Sequence, residues 1–118
     1  MAQLANDSAY GLLALEFAQA LANEDFDTAY GMLSPAVRAA MPKSDLAEGY
    51  KEMIAYADGP ADLCEVMIVD DEMPVFVKSD LAWVYVAICG PDFSEAVAVI
   101  VMKEGDGMAL RIDSWGRP

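Results

Sequence analysis

From Tyr10 onward the apolar residues recur at three- and four-residue intervals: Tyr10, Leu13, Phe17 and Leu21, with Leu12 and Leu15 widening the stripe. That period predicts an amphipathic helix from about Ser8 to Ala22, with Asn6, Asp7 and Ser8 all competent to cap its start. Asn23 to Asp25 reads as a tight connection. Phe26, Ala29, Tyr30 and Leu33 then repeat at helical spacing, and Glu24, Asp25 and Asp27 gather where the helix dipole favours negative charge. Ser34-Pro35 restarts the chain for a short turn to about Ala40, because serine caps and proline suits a first helical position. Met41-Pro42 closes that turn, and Ser44 is expected to cap a third helix. Leu46, Tyr50, Met53 and Ile54 form the expected buried face of this helix; Asp45, Glu48 and Glu52 form a separate acidic face.

Gly59-Pro60 ends the helical half, and beyond it the period changes from helical to strand-like. Leu63 to Val69 is apolar and β-branched, followed by the polar turn Asp70-Asp71-Glu72. Val75 to Val77 is a short expected strand, and Pro74 at its start suits a sheet edge. Ala82 to Cys89 alternates two apolar faces, so a central strand covered on both sides is expected. Gly90-Pro91-Asp92 turns the chain into a strand from Glu95 to Met102, and Gly105-Asp106-Gly107 makes the next hairpin turn. On the last strand Met108, Leu110 and Ile112 face one way, Arg111 and Asp113 the other. Strands joined by short loops pair antiparallel, and helices followed by strands imply an α+β fold. The expectation is one domain over residues 1–118, with three helices packed on a curved antiparallel sheet of four or five strands.

Composition narrows the chemistry. The 118 residues carry Lys+Arg 7 against Asp+Glu 20, a formal net charge of −13. Such a surface repels phosphate backbones, which argues against nucleic acid, and it can steer a basic partner inward or simply maintain solubility. The chain contains no histidine, so histidine-dependent serine and cysteine triads are excluded, along with the commonest neutral metal ligand. No apolar run reaches the roughly 18 residues that read as a membrane-spanning helix. The first basic residue is Arg38, so the start lacks the charged region of a signal peptide, and cytoplasmic location is the default reading. Cys64 and Cys89 read as reduced thiols packed as small hydrophobes, with a disulfide or a reactive thiol as alternatives.

The order of elements, and above all the stretch from Phe17 through Asn23-Glu24-Asp25 to Tyr30, resembles the nuclear transport factor two-like superfamily, a cystatin-like α+β cone. The terminal run Leu110-Arg111-Ile112-Asp113-Ser114-Trp115 is similar to its last strand. The resemblance implies a cone-shaped fold and a homodimer, since sheets in this superfamily commonly pair across a dimer interface. It spans ketosteroid isomerase, polyketide cyclases, small-molecule binders, protein-docking domains and immunity proteins that neutralise toxins, and fold alone does not choose among them. The isomerase-like members use a buried carboxylate with a tyrosine and a protonated acid.

Glu65, Asp70, Asp80, Asp92, Glu95 and Asp113 are the sheet-half carboxylates, and Tyr10, Tyr30 and Tyr85 are tyrosines that could line a pocket. None forms a recognisable catalytic set, and the histidine–aspartate pair of the superfamily's dehydratases cannot exist here. Asp70-Asp71-Glu72 lacks the spacing of a calcium loop, and Gly105-Asp106-Gly107 lacks that of a phosphate loop, so no metal or cofactor is expected. Phe76, Trp83, Tyr85, Phe93 and Trp115 line an apolar pocket, fill the core, or form a contact surface.

The leading expectation is a non-enzymatic acidic binding domain, such as an immunity-type protein that masks a basic partner, with Asp45, Glu48, Glu52 and Trp115 as its partner-binding residues. The alternative is a small-molecule binder, an apolar ligand included, or an isomerase- or cyclase-type enzyme using the interior of the cone. A filled apolar interior favours the first; an open cavity holding a buried carboxylate and a tyrosine favours the second.

Overall fold

The helical period that starts at Tyr10 closes as α1 (Ala9–Ala22), which buries Gly11, Ala14, Phe17, Ala18 and Leu21 on one face. The structure, a computed structural model, describes residues 9–57, 59–71 and 79–116. The expected caps at Asn6, Asp7 and Ser8, the edge strand from Pro74 to Val77, and Glu72 lie outside the described residues. Leu12 does not join the buried stripe and is half exposed. At about 100° per residue it sits roughly 140° around the helix from Phe17.

The chain leaves α1 through Glu24, whose φ of 56° is left-handed. Backbone bonds from Glu24 N–H to the Leu21 carbonyl and from Asp25 N–H to the Ala20 carbonyl tie off the helix end. Asp25 then caps α2 (Phe26–Gly31): its carboxylate accepts from the Thr28 N–H at 3.3 Å and from the Thr28 hydroxyl at 2.7 Å. Ser34 caps α3 (Pro35–Ala40), accepting from the Val37 N–H, with Pro35 in the first turn. The short turn expected here is thus a helix of its own, making four helices among the described residues. The Tyr30 hydroxyl donates towards the carbonyls of Arg38 and Met41, at 2.9 and 2.8 Å, and so fixes α2 against the end of α3.

The last helix, α4 (Lys43–Met53), starts two residues earlier than Ser44 would allow as a cap. Pro42 occupies the cap position in extended conformation and makes no side-chain cap bond, so the expected serine cap is not formed. Leu46 and Tyr50 are its buried residues, while Met53 and Ile54 are half-buried.

The four strands β1 (Leu63–Asp70), β2 (Asp80–Gly90), β3 (Phe93–Glu104) and β4 (Gly107–Trp115) pair in chain order, all antiparallel. The turn between β3 and β4 is tight, with Glu104 opposite Gly107 and Gly105 at a φ of 57°. The register places Val66 across from Val86, Val86 across from Val97, and Val84 across from Val99. These side chains, with Ala82, Ile88, Val101 and Leu110, meet Phe17, Leu21, Leu33, Leu46 and Tyr50 in a single core. A short parallel bridge joins the halves: Ser34 N–H donates to the Leu110 carbonyl, and Leu110 N–H donates to that of Met32.

The opposite face of β2 is only partly covered. Trp83, Tyr85, Ala87 and Cys89 alternate with the buried residues and remain half-buried. Trp83 and Tyr85 stack with ring centres 5.8 Å apart. The Trp83 indole N–H donates to Asp113 across the sheet, and Arg111 clamps Asp80 through bonds of 2.5 and 2.8 Å. The Asp80 side chain is fully covered, and the hydrogen bond to it raises the Arg111 pKa above the ordinary value. None of the helices among the described residues is long and apolar enough to cross a membrane.

Candidate partner-binding surface

The acidic face of α4 forms as its spacing requires. Asp45, Glu48 and Glu52, three and four residues apart, share one side of the helix, and all three are exposed. Their carboxylates make no hydrogen bond or ion pair with other described residues. Several acidic groups elsewhere are engaged. Asp25 is used as a helix cap, and Asp27 pairs with Lys43 beside a cleft of about 260 Å³ lined also by Glu24 and Phe26. Lys51 lies 5.5 Å over the Phe26 ring, which brings a second cation to that region. Asp70 is half-buried at the end of β1, and Asp71 is exposed.

Trp115 is brought to the border of this acidic face. It ends β4 opposite Val97, and its indole rests on α4 where Gly49 has no side chain. A Cβ on Gly49 would lie 3.0 Å from the indole Nε1 and 3.1 Å from Cε2. Around the helix, Gly49 falls between the carboxylate stripe and the buried face of Leu46 and Tyr50. The four residues expected to bind a partner therefore share one surface, with a half-buried indole along the edge of three exposed carboxylates.

Glu95, one of the sheet-half carboxylates, is bound by a tyrosine distant in sequence. The Tyr56 hydroxyl donates to its Oε2 at 2.7 Å, although the two residues are 39 apart in sequence. Its Oε1 lies 3.7 Å from where Gly116 would carry a Cβ, just after Trp115. Tyr56 also packs edge-on against Phe93, with ring centres 6.3 Å apart.

The aromatic residues do not converge on a pocket. Trp83 and Tyr85 stack on the outer face, Phe93 meets Tyr56, and Trp115 meets α4; Phe76 lies outside the described residues. The interior between helices and sheet is filled by the core side chains, and the fully covered carboxylate of Asp80 is held by Arg111. Tyr50 is the buried tyrosine: it is 1% exposed, and its hydroxyl has no hydrogen-bond partner among the described residues. Burial, reinforced by Cys64 and Glu24, pushes its pKa up to about 12.

A shallow cleft of about 250 Å³ lies between the end of α1 and the start of β1, with Gln19, Asn23, Asp62 and Cys64 on its walls. Cys64 and Cys89 are free. Cys64 stands across from Ile88 and Cys89 across from Leu63, so the two thiols project from opposite faces of the sheet. Burial and the nearby Cys89 push the Cys64 thiol up to about 11, which disfavours the reactive thiolate. Comparison with protein-family models, with curated proteins and with solved structures finds no match.

Proposed function

We propose that this chain is a non-enzymatic acidic binding domain that holds a basic protein partner against α4. The observation that carries the reading is the seating of Trp115 on Gly49, beside Asp45, Glu48 and Glu52. Carboxylates attract lysine and arginine, and the adjacent indole buries their methylenes and faces their charge. Tryptophan and arginine are enriched among residues that dominate interface energy. The interior filled by core side chains, with no buried carboxylate beside Tyr50 among the described residues, supports this reading over one based on internal catalysis. The order of helices followed by an antiparallel sheet is compatible with the nuclear transport factor two-like superfamily. Its toxin-masking members are the class that the acidity and the missing histidine favour.

The test begins with capture of a partner by pull-down and continues with association rates across a salt series. Steering by surface charge raises association by about 10–1000-fold and fades with ionic strength. Glu48→Lys with Glu52→Lys is expected to slow association at low salt and to change it little at high salt. Trp115→Ala is expected to speed dissociation, since apolar anchors set residence time more than encounter. An association rate indifferent to salt and to charge reversal on α4 would overturn the proposal.

A further inference from the structure

We draw no further inference here: the strongest candidate, the exposed apolar strip of Leu63, Met67 and Ile68 on β1 beside the half-buried Trp83–Tyr85 stack, carries nothing because nothing in the structure shows what covers it.

Discussion

Removing one oxygen atom tests how the interior is built. Tyr50 is 1% exposed, its ring packs 6.1 Å from that of Phe26, and its hydroxyl is buried without a hydrogen-bond partner among the described residues. A buried polar group left unsatisfied costs about 1–3 kcal/mol, because folding removes its bonds to water and replaces them with nothing. Tyr50→Phe keeps the ring and deletes that cost. The small void left behind forfeits some dispersion, so a net gain of about 1 kcal/mol is expected. That corresponds to a rise in Tm of roughly 3–5 °C for a domain of this size. Urea unfolding followed by far-ultraviolet circular dichroism gives the comparison directly.

Alkaline pH supplies a second readout. The phenol titrates near 10 when unfolded and is pushed up to about 12 in the folded protein. Above pH 10 the unfolded state loses the proton first, so stability falls as pH rises from about 10 to 12. The loss contributed by this group is on the order of 2–3 kcal/mol. Tyr50→Phe lacks it, and the variant's advantage over the parent should widen across that window. A variant that is less stable than the parent at neutral pH, with no change in alkaline slope, would show that the hydroxyl is satisfied and the reasoning wrong.

Phe17 is fully buried, so Phe17→Ala should cost about 3–5 kcal/mol in urea unfolding. Arg111→Met leaves the covered Asp80 carboxylate without its clamp. Because the arginine is itself partly exposed, the expected loss is about 2–3 kcal/mol, most of it recovered by adding Asp80→Leu. Gly49→Leu should push the Trp115 indole off α4, seen as a red shift of its emission in a Trp83→Phe background; an unchanged spectrum would refute the contact.

The parts of the fold that were legible in the sequence are those set by short-range rules. The three- and four-residue spacing of α1 identified Phe17 and Leu21 as core residues, and the two hairpin turns marked the antiparallel pairing of β2, β3 and β4. The errors came from competition within that same range. Leu12 is apolar yet lies on the far side of α1, and a hydrophobic tally that ignores angle assigns it to the stripe. Ser44 is a good cap by chemistry, but Pro42 suits the extended position before α4 and sets the boundary ahead of it.

The site was legible in one half only. Asp45, Glu48 and Glu52 lie on one side of a helix by local geometry alone, so their spacing was sufficient. Their relation to Trp115 depends on β4 packing its last residue against α4, and on glycine at position 49 leaving room for the indole. Glu95 joins Tyr56 in the same way, through strands and helices that meet only once the core has formed. A binding surface built from charge and shape has no fixed spacing in the chain. Such a surface takes form only when the sheet and helices bring distant segments together, as when β4 lays its indole on the helix whose three carboxylates were already readable from their spacing.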